Sequence, residues 1–451
     1  TAPYTATTIS QLQNMMFGAS GSVTDFFKEN SYNATNIDSG SVVGPFTIPY
    51  SASQIKSTGQ VIPSGSLACT TSFSNGSGQE IGLGKKIVEV ANSNGVVTNN
   101  YSHVVVVFPQ SVNCGFAGLA FVGTPLVLPT IYQPSVMING FDIARPEMLN
   151  IFTHEIGHTY GLPHAHALVC DPNNTYGSSN CNMSGTGYEY GDVYDTMGIS
   201  LHAGVRTGSP HFNAFYKKML EWLDNPSISS PTITPVTTSG DYVINKYETG
   251  GGAKALSFVE PTTGSTYYLE ARTGIGHDTG VANGVAVRVN PNVNYNNFSL
   301  SNGVLNYYDN NIYNSIRDSL LIDTHPNALI YPYDDALLTA TGVSTGDVFA
   351  TPESGTSFRL VSKDANTATI HVNISPTCSR APSVSITPYS QVGAVGDTYN
   401  NSVIVTNNDL PGCPSATFNV RPMFYSGLKD YDYVNNIPNF AYTKFTPYTV
   451  T

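Results

Sequence analysis

The stretch THEIGHTYGLPHAH, residues 153–166, concentrates residue types that can bind a metal ion and move protons. Its candidate ligands are His154, His158 and His164. Side chains four residues apart on a helix project from one face about one turn apart, so the first two imidazoles can bind a single ion. Gly161 can end that helix and turn the chain, so that the third histidine approaches from the side. Three nitrogen ligands leave one tetrahedral position open, which is typical of a catalytic zinc site.

Glu155 follows the first histidine and is not needed as a ligand. We expect its carboxylate to accept a proton from water whose pKa is lowered by zinc, and later to donate that proton to a leaving amine. With only 10 histidines in 451 residues, a chance origin for the whole pattern is a weak alternative. The sequence therefore predicts hydrolysis of an amide bond at a zinc centre.

The elements that must position this site precede it in the chain. ARPEMLNIFTHEIGHTYG predicts a helix of about four turns, with Pro146 at its first position and Gly161 at its C-terminal cap. TTISQLQNMMFG and GSVTDFFKENSY predict two earlier helices, and VVGPFTIPY predicts a short strand. YSHVVVVFP predicts a strand buried on both faces at the centre of a sheet. CGFAGLAFVG and TIYQPSVMING predict two more strands, one of which forms an open edge.

After Trp222 the composition changes, and DNPSISSPTITPVTTSG has the Pro, Ser and Thr content of a linker. Short β-type runs follow: DYVINKYE, KALSFVE, TYYLEAR, GVAVRV, SLLIDT, SFRLVS and ATIHVNI. We expect a β-sandwich or barrel domain over residues 226–376. The segment from Ala381 resembles the Ig-like repeats of secreted bacterial enzymes, which implies a short Ig-like domain, either trimmed or incomplete, over residues 377–451.

Composition limits the class of protein. Only 11% of the residues are charged, the net charge is −12, and the basic residues form no cluster, which argues against nucleic acid or an anionic membrane as a partner. A continuous apolar run long enough to span a membrane is missing, and the first residues lack the pattern of a signal peptide, so we expect any leader to have been removed.

The six cysteines form no CxxC pair, which favours disulfides over a cysteine zinc site. Sequence proximity suggests three pairs: Cys170 with Cys181, Cys378 with Cys413, and Cys69 with Cys114. Disulfides predict an oxidising, extracellular location, whereas buried free thiols in a cytosolic protein are the alternative.

The motif HExxHxxGxxH followed by a downstream methionine, Met197 in VYDTMGIS, resembles the signature of the metzincin zinc peptidases. EYGDVYDTMG followed by HFNAFYKKMLEWL is similar to the gametolysin family and its secreted bacterial relatives. This resemblance implies an α+β catalytic domain over residues 1–225, with a twisted mixed sheet and an active-site helix. It also implies that Met197 lies beneath the metal without binding it.

The resemblance implies further roles in the cleft. GLAF resembles the metzincin edge strand, so Gly118, Leu119 and Ala120 would pair with an extended peptide substrate. Ile199 stands where some metzincins have a tyrosine ligand, so we expect three protein ligands and water. For Tyr188, Tyr190 and Tyr194 we expect packing, with oxyanion stabilisation as the alternative. His166 and His202 are not predicted ligands. Likeness at GSVTDFFKENSY implies a first strand upstream of residue 1, or a different topology.

These patterns together predict a secreted, extracellular zinc endopeptidase that binds one catalytic Zn²⁺ and cleaves extended protein segments. Calcium is a further possibility for which the chain shows no motif. One alternative is a non-catalytic binding or adhesive protein with a structural zinc site. Another is a snapalysin-like or immune-inhibitor-like metallopeptidase, which direct identification of His164 as a ligand would distinguish. The sequence does not determine the oligomeric state.

Overall fold

The structure is a computed structural model that contains both α-helices and β-strands. It describes residues 6–37, 40–57, 62–71, 82–109, 114–120, 122, 135–140, 147–168, 187–188, 190–198, 209–261, 263–280, 283–291, 319–325, 336–351, 354–374, 383–387, 402–406, 416–418 and 448–450. Its helices are α1 (Ala6–Phe17), α2 (Val23–Asn30), α3 (Leu83–Ser93), α4 (Glu147–Thr159) and α5 (Ala214–Met219).

The strands before the linker region are β1 (Ile55–Lys56), β2 (Leu67–Ala68), β3 (Val105–Pro109), β4 (Gly118–Ala120), β5 (Val136–Gly140), β6 (His166–Leu168) and β7 (Gly187–Tyr188). Those that follow are β8 (Thr232–Pro235), β9 (Gly240–Asn245), β10 (Ala253–Val259), β11 (Thr266–Arg272), β12 (Gly284–Asn290), β13 (Leu320–Ile322), β14 (Val348–Ala350), β15 (Ser357–Lys363), β16 (Thr367–Asn373), β17 (Ser383–Thr387), β18 (Ser402–Thr406), β19 (Ala416–Phe418) and β20 (Tyr448–Val450). The mixture is α+β, as predicted.

Both early helices form where the sequence predicts them. The Ser22 side chain accepts a hydrogen bond from the Asp25 N–H at 3.0 Å, and the Asp25 carboxylate accepts one from the Gly21 N–H at 2.8 Å. This exchange satisfies N–H groups that a helix start leaves free. Phe26 and Phe27 of α2 are fully buried in the core that also contains α4.

A three-stranded sheet in the order β3-β5-β4 supports the motif region. The prediction that YSHVVVVFP is a central strand buried on both faces is wrong: β3 pairs with β5, and its burial alternates along the strand. The fully buried strand between two neighbours is β5, parallel to β3 and antiparallel to β4. A valine run cannot distinguish one buried face from two. β4 lies at the edge, as one of the two following runs was predicted to do.

The segment VVGPFTIPY is not a strand, contrary to the prediction. Pro45 and Pro49 each lack an N–H, so this segment loses two donors that a sheet would need. The strand prediction for this segment relied on its β-branched residues and did not take its two prolines into account.

The second half of the chain builds two sheets over one hydrophobic core. One has seven strands in the order β7-β6-β13-β12-β11-β10-β8, and the other has four in the order β14-β15-β16-β9. The side chains of Leu256, Leu269, Val287, Phe358 and Ile370 belong to the buried cluster between them. All seven β-type runs predicted from sequence contain strands.

The seven-stranded sheet contains strands from both sides of the boundary predicted at residues 225/226. β6, which begins two residues after His164, pairs parallel with β13. β8 lies within the predicted linker and pairs parallel with β10, so that part of the linker prediction is wrong. Pro and Ser content signalled irregular chain, but the sheet edge accommodates Pro235 because an edge strand needs fewer donors. The domain boundaries themselves stay predictions.

At the C-terminal end, β17 pairs with β18 and β19 pairs with β20, each antiparallel. The Ig-like domain stays a prediction. The structure contains the predicted disulfide between Cys69 and Cys114, with Cα atoms 5.4 Å apart. Cys170, Cys181, Cys378 and Cys413 lie outside the described residues. Among the described helices, none is long and apolar enough to cross a membrane.

Candidate metal centre

Helix α4 carries the first two histidines and ends where the sequence predicts. Gly161 has φ +90°, a left-handed conformation that side chains disfavour. Its N–H donates to the His158 carbonyl at 2.9 Å, and the Leu162 N–H donates to the Gly157 carbonyl at 3.3 Å. These bonds close the last helical turn, and the reversal brings His164 back toward the helix.

The three predicted ligands meet in one place. His154, His158 and His164 each offer a nitrogen, and these atoms all lie within 4.8 Å of one another. The Nε2 atoms of His158 and His164 are 3.1 Å apart. Two nitrogens bound tetrahedrally at zinc distances would lie about 3.3 Å apart, so the donor set fits this ion.

Backbone carbonyls orient two of the imidazoles. His154 Nδ1 lies 2.8 Å from the Thr196 carbonyl oxygen, and His158 Nδ1 lies 2.8 Å from the Leu162 carbonyl oxygen. A carbonyl only accepts, so the proton sits on Nδ1 and the lone pair on Nε2 is free for a metal.

Burial also keeps these rings neutral. It lowers the pKa of His154 to about 3, with the nearby His164 adding to the effect. The pKa of His158 also falls well below its ordinary value, mainly through burial and then through the other two imidazoles. Neutral imidazole is the form that binds metals, so His154 and His158 are in the protonation state that a cation requires.

Glu155 lies on α4 directly beneath β4. Burial raises the pKa of its carboxyl group to about 8. A Cβ atom placed on Gly118 would lie 2.4 Å from both Cγ and Oε1 of Glu155. Because Gly118 has no side chain, the backbone of the edge strand lies in contact with the Glu155 side chain. Leu119 and Ala120 complete the half-buried strand, whose second edge is unpaired among the described strands.

Met197 lies in a tightly packed turn that contacts helix α4. Its side chain is fully buried, and its sulfur would be 2.5 Å from a Cβ atom on Gly157 of α4. Its carbonyl accepts a hydrogen bond from Ala165 N–H at 2.8 Å, which ties the turn to the residue after the third histidine. The role of Met197 beneath the metal stays a prediction.

Sequence reasoning gave no role to the two aspartates of GDVYDTMG. Both are fully buried. Asp195 accepts hydrogen bonds from Met197 N–H at 2.7 Å and from the N–H and side-chain amide of Asn213 at 2.6 and 2.7 Å. Asp192 is paired with an arginine from β12. The sequence signal that could have identified these two aspartates is their occurrence as a pair in a segment with few other charged residues.

The Tyr190 ring contacts one of the predicted metal ligands. Its ring centroid lies 3.7 Å from that of His164 and 5.9 Å from that of His154. It holds φ +62°, which is uncommon for a residue with a side chain. The sequence places it just before the methionine turn, where packing was predicted, with oxyanion stabilisation as the alternative. Tyr194 is buried, as the packing prediction requires.

The remaining residues considered from sequence are His166, Tyr188, Ile199 and His202. His166 lies in β6, where its N–H donates to the Ser319 carbonyl at 3.1 Å. The side chain of Tyr188, together with Ile199 and His202, lies outside the described residues.

Residues 9–196 match the model of metallo-peptidase family M12. This match supports a metzincin-type zinc metallopeptidase domain in this part of the chain. The match covers the active-site helix, the three histidines and the turn up to Thr196. Searches of curated proteins and of solved structures find no match to the chain. The gametolysin subfamily is not distinguished by the family match.

Proposed function

We propose that the chain is a secreted zinc endopeptidase that hydrolyses peptide bonds in extended segments of extracellular proteins. The observation that carries this proposal is the arrangement of three histidine side chains beside the buried carboxyl group of Glu155, within a sequence whose residues 9–196 match a zinc metallopeptidase family. Bound zinc would supply Lewis-acid activation of water and of the substrate carbonyl.

The histidines would hold the ion, and Glu155 would handle the protons. The Glu155 carboxylate would take a proton from the attacking water, and its burial, which favours the protonated form, would help to retain that proton. The same carboxyl group then donates this proton to the leaving amine. Its position on the rigid helix α4 fixes it relative to both neighbouring histidine ligands.

The edge strand supports an extended substrate. β4 contacts Glu155 at Gly118, so a peptide paired along the free edge would pass directly over the acid–base group. The Cys69–Cys114 disulfide supports an oxidising, extracellular location.

The decisive test compares zinc-loaded wild type with Glu155→Gln on a denatured protein substrate. We expect the variant to keep one zinc per chain and to lose cleavage by at least about 10²-fold, because only the proton-transfer group is removed. Glu89→Gln, at a half-exposed position on α3, is the matched control and should cleave like wild type.

The same assays of zinc content and cleavage, applied also to His164→Ala, separate the alternative functions. If wild type binds zinc but cleaves nothing, the adhesive or binding-protein alternative with a structural zinc gains support. If His164→Ala leaves the zinc stoichiometry and affinity unchanged, the immune-inhibitor-like alternative with another third ligand is favoured. The mass of each product would also give the cleavage preference.

A further inference from the structure

Strand β12 has two buried faces, and each packs against a different region of the protein. Val285, Val287 and Val289 point into the hydrophobic core between the two large sheets. Ala286 packs on the other face with Val193, next to the methionine turn. Arg288 shares this second face, because side chains alternate along a strand, and it is 1% exposed.

The Arg288 guanidinium pairs with a carboxylate of the methionine turn. Its Nε donates to Asp192 Oδ2 at 2.5 Å and its Nη2 donates to Asp192 Oδ1 at 3.1 Å, which is a bidentate pair. Its Nη1 donates to Glu270 on β11. Glu270 also accepts from Arg272, so it keeps a cation of its own. Asp192 has no other basic partner among the described residues.

Asp192 is joined to the metal centre through backbone hydrogen bonds. Its N–H donates to the Ala165 carbonyl at 3.3 Å, and its Oδ1 accepts the Tyr194 N–H at 3.0 Å. Its carbonyl oxygen lies so close to Gly198 that a Cβ there would approach to 1.9 Å. The turn it holds supplies the Thr196 carbonyl that orients His154.

We propose that Arg288 is a positioning residue for the metal centre. By pairing with Asp192 it holds residues 190–198 in the shape that orients His154 and the loop of His164, so the β-rich region contributes directly to metal affinity. This inference rests on the proposed zinc function. Without the guanidinium, Asp192 would be a buried carboxylate without a cation, and the turn would move to solvate it.

The test uses the full chain with Arg288→Met and Arg288→Lys. Zinc affinity is measured by chelator competition well below the melting temperature, and the visible spectrum is recorded with cobalt in place of zinc. Arg288→Met is expected to weaken zinc binding by about 10- to 100-fold and to change the cobalt spectrum, as loss of a ligand-orienting partner does. Lysine keeps the charge but not the bidentate geometry, so it should restore part of the affinity.

Val287→Ala is the matched control, because this residue neighbours Arg288 on the same strand, is fully buried and faces the opposite core. It should lower the melting temperature while leaving zinc affinity and the cobalt spectrum unchanged. Asp192→Asn provides a second variant should Arg288→Met fail to fold, and a loss of affinity is again expected.

Wild-type affinity and spectrum in a folded Arg288→Met or Asp192→Asn protein would overturn the inference. An equal loss of affinity in Val287→Ala would overturn it too, since the effect would then follow stability alone. Metal affinity is read without substrate, so an inactive wild type would refute the proposed peptidase activity without deciding the role of Arg288.

Discussion

The contact between Gly118 and Glu155 predicts a large kinetic effect from one methyl group. In Gly118→Ala the new Cβ would lie 2.4 Å from Glu155 Cγ and Oε1, whereas ordinary contacts begin at 3.4 Å. The carboxylate must therefore retreat by about 1 Å. A misplacement of about 1 Å at a reacting group can lower the rate about 10²-fold, which corresponds to about 2.7 kcal/mol in the activation barrier.

The assay is kcat and KM on an internally quenched peptide, with zinc content and urea unfolding measured on the same sample. We expect kcat to fall about 10²-fold with zinc retained, because the methyl group touches the carboxylate and not the histidines. Gly250→Ala is the matched control, since its Cβ would meet no atom within 4 Å and its backbone is not left-handed. A Gly118→Ala enzyme with kcat within about threefold of wild type, or one that loses zinc, would refute this reasoning.

Three further perturbations follow from the described contacts. Replacing Cys69 and Cys114 by serine should lower the free energy of unfolding by about 4 kcal/mol for a 45-residue separation, and an unchanged urea midpoint would contradict this. Tyr190→Ala should weaken zinc binding in chelator competition because the Tyr190 ring packs against the His164 ring, whereas Tyr190→Phe should not; equal affinities would show that this ring contact is unimportant. Burial lowers the pKa of Lys254 from 10.5 to about 8, so between these values the unfolded chain binds more protons and stability rises with pH. Lys254→Met should flatten that slope in urea unfolding from pH 8 to 10.5, and an unaltered slope would count against it.

Local sequence determined the centre of this site. The spacing of His154 and His158, the glycine after the helix and the glutamate between them are short-range features, and helical geometry alone brings the first two imidazoles together. The capping residues of α2 and most strands of the second half are equally local signals. Such patterns can be recognised without knowing what packs against them.

Only the tertiary structure decided what surrounds that centre. The valine run of β3 gives the same pattern whether one face or both are covered, so its place in the sheet depended on β5. The pair of Arg288 and Asp192 joins residues 96 positions apart, and Tyr190 meets His164 across a loop. These contacts arise because β6 continues from the metal loop into the sheet of the β-rich region. No local periodicity encodes such pairing, since it depends on which surfaces the folded chain brings together.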